Sequence, residues 1–266
     1  MASNVTKTGS AHFHHFHLNV TNPAATTRFY RDLLGATEVK YRGVADALFT
    51  ERSFILFTKV DTPPPAAPTS TLHHMGWAGV DGPSECKWLK DKGVRFQTPA
   101  TPIGSDHYMY FYGPDDEILE IYTGGKNHRF NHFHLYNTDA RGAAQWFVDH
   151  LGLQVRRENG FPGIQIDNVA MVFFGAPLPE WWQPEYWLVE KDTDLDPTEG
   201  RVIDHVAFSF RNIDPVYDRM ERSGVQMVRP IETSAAFGHK SFYVLGPDGL
   251  LVEIVEDKPI PEGIWD

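Results

Sequence analysis

The stretch HFHLNVTNPAATTRFYRDLLG, from His15 to Gly35, lines up without a gap on HFHLYNTDARGAAQWFVDHLG, from His132 to Gly152. Two further pairs follow in the same order. HMGWAGVDGPSECKWLKDKGVRFQTP (His74–Pro99) lines up on HVAFSFRNIDPVYDRMERSGVQMVRP (His205–Pro230), and YFYGPDDEILE (Tyr110–Glu120) on YVLGPDGLLVE (Tyr243–Glu253). Three collinear matches make the chain a tandem duplication, and internal repeats of this kind decide the architecture before any local reading does. The repeats run over 10–126 and 127–258, joined through Gly124, Gly125, Lys126 and Asn127, a stretch with linker chemistry. The second repeat also gains the Trp- and Pro-rich segment that follows Phe174.

Each repeat divides again. Residues 13–20 alternate like a strand; Ala24 to Leu34 has the apolar spacing of a helix, closed by Gly35 as a left-handed cap. Short strands such as TEVKY and SFILFTKV follow. From His74 the order recurs: strand, a helix near Pro83–Lys92 ended by Gly93, then VRFQT, YMYFY and EILEIYT. The expected fold is α+β, built of four βαβββ modules. Two modules per repeat give two tandem domains, 10–126 (modules 1 and 2) and 127–258 (modules 3 and 4). Asp61–Thr71 reads as an extended Pro-rich connector. The sequence leaves open whether sheets form within a repeat or across the two.

Composition narrows the function. The formal charge of −11 over 266 residues argues against a nucleic-acid partner, whose affinity comes from Lys and Arg on phosphates. Cys86 is the only cysteine, which excludes an intrachain disulfide and a Cys-rich zinc site. No apolar run approaches the roughly 18 residues of a membrane span, and no secretory h-region is visible, so a soluble cytoplasmic protein is expected. Thirteen histidines stand out.

His15 and His74 each open the first strand of a module, and Glu120 lies in the last strand of the first repeat. The second repeat places His132, His205 and Glu253 at the same positions. Two imidazoles and a carboxylate form a facial triad that holds Fe(II) with positions open to substrate and oxygen; Zn, Mn, Ni or Co could also sit there. Histidine and glutamate facing a sheet interior are costly to bury without a partner, which favours ligation over packing. Strand alternation puts His17 on the face of His15 and His134 on that of His132, as bases or alternative ligands. It turns His73 away from His74, and His14 belongs to the strand's frayed start. Tyr110 and Tyr243 stand ten residues ahead of Glu120 and Glu253, an even spacing that aims a phenol at the same pocket. His239 is a candidate acid or base in the loop before Tyr243, and His107 a weaker one. The GPDG turn (Gly246–Gly249) lacks the pattern of a phosphate loop; in the first repeat Asp116 stands where glycine would ease a positive φ. Trp181, Trp182, Tyr186 and Trp187 suit a lid over an apolar ligand or a homodimer interface.

These motifs, with GPDGLLVEI and FYRDLLG, resemble the vicinal oxygen chelate superfamily, which includes glyoxalase I, extradiol dioxygenases, fosfomycin-resistance transferases, methylmalonyl-CoA epimerase and bleomycin-resistance proteins. The resemblance covers nearly the whole chain. It implies paired βαβββ modules curled around a divalent metal, Fe(II) in the dioxygenases, and a small-molecule substrate. Glyoxalase I-like members add a fourth ligand, a Glu from another module, but the matching strands SFILFTKV and NVAMVFFG offer no carboxylate. His, His, Glu with a Tyr ten residues ahead is similar to the extradiol dioxygenases, which implies oxidation of a catechol-like aromatic at Glu253, His132 and His205. The alternatives are a lyase or isomerase using a Lewis-acid metal, and a bleomycin-resistance-like binding protein.

Overall fold

The computed structural model describes residues 11–65, 69–158, 161–167, 169–175 and 195–257. The first module is β1 (His12–Val20), α1 (Pro23–Leu34), β2 (Thr37–Tyr41), β3 (Ala45–Thr50) and β4 (Ser53–Lys59). The second is β5 (Leu72–Ala78), α2 (Gly82–Asp91), β6 (Phe96–Ile103), β7 (Asp106–Tyr112) and β8 (Ile118–Tyr122). The third comprises β9 (Arg129–Asn137), α3 (Ala140–Leu151), β10 (Val155–Glu158), β11 (Phe161–Ile166) and β12 (Val169–Gly175). The fourth comprises β13 (Ile203–Phe210), α4 (Asp214–Arg222), β14 (Met227–Thr233), β15 (Lys240–Leu245) and β16 (Leu251–Glu256). The α+β class and the four βαβββ modules are as expected.

Local chemistry sets the helix ends. The Asn22 side chain accepts from Ala25 N, Pro23 sits in the first turn, and Gly35 ends α1 at φ 71°. In α3 Asp139 takes the N-cap and Gly152 the left-handed stop at φ 70°. Both caps satisfy backbone groups that a helix end leaves unpaired.

Two eight-stranded mixed sheets result, in the orders β14-β15-β16-β13-β1-β4-β3-β2 and β10-β11-β12-β9-β5-β8-β7-β6. Modules 1 and 4 therefore share one sheet, and modules 2 and 3 the other. Neither repeat closes a sheet of its own, so the intervals 10–126 and 127–258 describe the duplication in sequence rather than the two sheets. The seams are antiparallel, β1 on β13 and β5 on β9.

Strand alternation then separates two faces. Phe16 and Leu18 of β1, and Phe133 and Leu135 of β9, are buried between the sheets, with Phe16 and Phe133 ring centroids 5.1 Å apart. α3 joins this core through Phe147, 5.8 Å from Phe208 of β13. The opposite face of each sheet carries the histidines. The GPD turns tie the sheets together: Asp115 accepts from Thr21 N at 3.1 Å, while Asp248 accepts from Asn137 Nδ2 at 2.9 Å and Thr138 Oγ1 at 2.6 Å. Asp116 adopts φ 69°, the left-handed position that its sequence predicted.

Candidate metal centres

Strand register brings the predicted residues into one row in each sheet. In the module 2/3 sheet the row runs Tyr110, Glu120, Gly76, His132, Ala170 across β7, β8, β5, β9 and β12. In the module 1/4 sheet it runs Tyr243, Glu253, Ala207, His15, Phe54. The second histidine, His74 or His205, stands two residues away on the central strand and therefore on the same face. The groups are thus His74, His132 and Glu120 in one sheet, and His15, His205 and Glu253 in the other. The set His132, His205 and Glu253 does not assemble, because β9 pairs with β5 and leaves His132 in the sheet that lacks His205 and Glu253.

In the module 2/3 group the Nε2 atoms of His74 and His132 lie 2.9 and 2.7 Å from Glu120 Oε2. His134 Nε2 is 3.9 Å from the same oxygen, and its ring stacks on His74 at 4.3 Å. His74, Glu120, His132 and His134 each offer a donor atom within 4.8 Å of the others. The Tyr110 ring is 5.1 Å from His74. Gly76 leaves room for the His132 ring where it stands: a Cβ there would lie 2.1 Å from its Cε1 and Nε2.

In the module 1/4 group His15 Nε2 and His205 Nε2 lie 3.2 and 3.4 Å from Glu253 Oε2. His17 stacks on His205 at 4.8 Å, and the Tyr243 ring is 5.3 Å from His205. Both imidazole nitrogens are buried and neither makes a well-aligned hydrogen bond. Donors about 2.1 Å from a common ion stand roughly 3.0 to 3.4 Å apart, for right-angled and tetrahedral coordination respectively. The module 1/4 donors have this spacing already, and their orphaned nitrogens are what an ion would satisfy.

Burial and the facing charges set the protonation of these groups. Burial takes the His15 imidazole down to about 3 and lowers His74 as well. Burial alone would raise the two glutamates, but the facing imidazoles outweigh it and hold Glu120 and Glu253 well below the ordinary carboxylate range. Burial also works to lower His205, yet Asp204 and Glu253 reverse the sign and raise it.

A feature that strand alternation hid is the residue preceding each ligand candidate. His14 Nδ1 is 2.7 Å from His15 Nδ1, and His73 Nδ1 is 2.7 Å from His74 Nδ1. Asn131 Oδ1 and Asp204 Oδ1 accept from His132 Nδ1 and His205 Nδ1 at 2.7 and 2.6 Å. Register shifts between Phe13 and His15, and between Leu72 and His74, break the simple alternation that turned His14 and His73 away. The legible signal was the repeated polar residue directly before each histidine: HH, HH, NH and DH.

The other candidates are placed less centrally. His239 is buried beside Phe237, stacked at 5.8 Å, and 6.1 Å from the Tyr41 ring; burial lowers it. His107 packs against Gly82 at the start of α2. Trp181, Trp182, Tyr186 and Trp187 lie outside the described residues.

A cavity of about 640 Å³ opens onto the module 2/3 group. Glu120, His132 and His134 line it together with Phe161, Phe174 and Val172. It is large enough for a drug-sized molecule.

Two eight-stranded sheets, each built of paired βαβββ modules with a His, His, Glu group on its open face, make a duplicated architecture with one candidate metal centre per sheet. The profile of the Glyoxalase/Bleomycin resistance protein/Dioxygenase superfamily matches residues 12–121 and 129–254, and the chain belongs to that superfamily. Among the described residues His74, Glu120, His132 and His134, and separately His15, His17 and His205, form groups that could hold a metal ion. A lactoylglutathione lyase of Schizosaccharomyces pombe is 24% identical over 194 residues, covering 66% of this chain and 63% of the relative's length. Glyoxalase I of Zea mays superposes with a TM-score of 0.71 over 93% of this chain and 92% of its own, at 14% identity. A candidate dioxygenase from Bacillus subtilis superposes at 0.65 over 95% and 87%, at 15% identity. At these identities the two structures establish the shared fold.

Proposed function

We propose that the chain is a dioxygenase-type enzyme acting on a catechol-like aromatic at the centre of His74, His132 and Glu120. The observation that carries this reading is the character of the cavity beside an open ligand set. Its described lining includes Phe161, Phe174, Tyr122, Val172 and Ile103, with Asp106 and Glu120 as acids and no lysine or arginine. A planar apolar ring fits such walls, whereas a glutathione adduct carries carboxylates that would meet no cation among the described lining residues. Nor does any carboxylate besides Glu120 join the described histidines of that group.

A bound Fe(II) would supply a two-oxygen attachment point for the substrate and electrons for oxygen activation. The remaining work falls to the chain. Burial, with the neighbouring His74, holds His134 well below its ordinary value, so it is neutral and its ring can accept a hydrogen bond that orients a substrate hydroxyl. Tyr110, buried beside His74, is the phenol available to orient or protonate an oxygen of the reacting substrate.

A second reading, a lyase or isomerase with a Lewis-acid metal, is favoured by the match to the S. pombe lyase. Oxygen uptake with simple catechols after anaerobic Fe(II) loading tests the choice. Stoichiometric oxygen consumption with ring-cleaved product supports the dioxygenase. Turnover that persists without oxygen, or with Zn in place of Fe, would overturn it.

A further inference from the structure

The two candidate centres have the same donors but different groups behind them. In the module 2/3 centre His132 Nδ1 is held by the neutral amide of Asn131 at 2.7 Å, and His74 Nδ1 by the His73 imidazole. In the module 1/4 centre His205 Nδ1 is held by the Asp204 carboxylate at 2.6 Å. That carboxylate is itself fixed, its other oxygen accepting from Gly200 N at 2.7 Å and Asn19 Nδ2 at 3.1 Å. His15 Nδ1 faces His14, whose Nε2 reaches Asp257 Oδ2 at 3.3 Å, and Arg42 offsets that second carboxylate at 2.8 Å. Directly behind the metal-facing imidazoles the two centres therefore differ by the Asp204 carboxylate where the other repeat has the Asn131 amide.

A carboxylate behind an imidazole makes it a stronger donor and locks its tautomer. The donor spacing points the same way. Glu253 already stands 3.2 and 3.4 Å from its two imidazole nitrogens, whereas Glu120 is drawn to 2.9 and 2.7 Å and must back away to admit an ion.

We infer that the two centres are unequal: His15, His205 and Glu253 form the tight metal site, and His74, His132 and Glu120 a weaker, more electron-poor one that faces the cavity. Asp204 and Asn131 are the positioning residues that set this ranking. The weaker donor field leaves more of the ion's charge for substrate, at the only one of the two centres whose residues line the 640 Å³ cavity among those described. The inference rests on both centres taking metal, as the proposed function requires.

Cobalt(II) titration of the metal-stripped full chain, followed by visible absorbance and calorimetry, tests it without reference to activity. Two phases of one equivalent each are expected, the tighter lost in Glu253→Ala and the weaker in Glu120→Ala. Asp204→Asn should weaken the tight phase about 10- to 100-fold, and Asn131→Asp should tighten the weak phase by a similar factor. Asn131→Asp adds a charge and keeps the Oδ1 that accepts from His132 Nδ1, so it decides the matter should Asp204→Asn fail to fold. Two equal phases, a tight phase that maps to Glu120, or an unchanged weak phase in Asn131→Asp would each overturn the ranking while leaving the metal enzyme intact. A wild-type chain that binds no cobalt would overturn both.

Discussion

Gly76→Ala isolates one metal centre through a single methyl group. The substituted Cβ would stand 2.1 Å from both Cε1 and Nε2 of His132, where ordinary contact begins near 3.4 Å. The imidazole must retreat by more than about 1 Å, and metal–ligand distances hold to within about 0.2 Å, so His132 leaves the coordination set. The obstruction falls on the far end of a side chain. Gly76 does not occupy the left-handed region, so alanine suits its strand conformation and the fold should survive. Ala207 occupies the equivalent position in the other sheet, between Glu253 and His15, so a methyl there is compatible with the rotamer of His15 but not with that of His132, and the variant leaves that centre untouched. Cobalt stoichiometry should fall from two equivalents to one, and activity should be lost with the Glu120 centre. Retention of both equivalents at unchanged affinity would refute the assignment of His132 as a ligand.

Three further outcomes can be measured independently. Burial raises the Glu117 carboxyl to about 7 from 4.5, so the folded state keeps a proton that the unfolded chain releases. Stability should fall by roughly 3 kcal/mol as pH climbs from 4.5 to above 7. Glu117→Gln should flatten that slope in urea melts at pH 5 and pH 8, and parallel behaviour of the two proteins would reject this account. Asp248→Ala removes the acceptors for Asn137 Nδ2, Thr138 N and Thr138 Oγ1, and should cost about 1 to 3 kcal/mol in denaturant unfolding. A change inside experimental error would show that the GPD turn does not clasp the sheets. Tyr110→Phe should lower kcat at least about 10²-fold with cobalt stoichiometry intact, if the phenol moves or steers a proton. An unchanged kcat would confine Tyr110 to packing.

Much of the site could be read from residues alone. Even spacing from Tyr110 to Glu120 and from Tyr243 to Glu253 put phenol and carboxylate on one face, and the register now sets each pair side by side on neighbouring strands. His17 and His134 shared the faces of His15 and His132 for the same reason. His14 and His73 escaped because alternation assumes a regular strand, and the register shifts beside them are set by pairing across the seam.

The sequence by itself determined the duplication, the four βαβββ modules, the helix caps and the identity of six candidate ligands, because each of these follows from local spacing and side-chain chemistry. Tertiary structure alone decided which three ligands meet. β1, β5, β9 and β13 carry similar alternating patterns, so any of them could have paired with another as far as local propensity is concerned. The seam ladders of the folded chain make the choice, β1 on β13 and β5 on β9, and with it send His132 to Glu120 and His15 to Glu253.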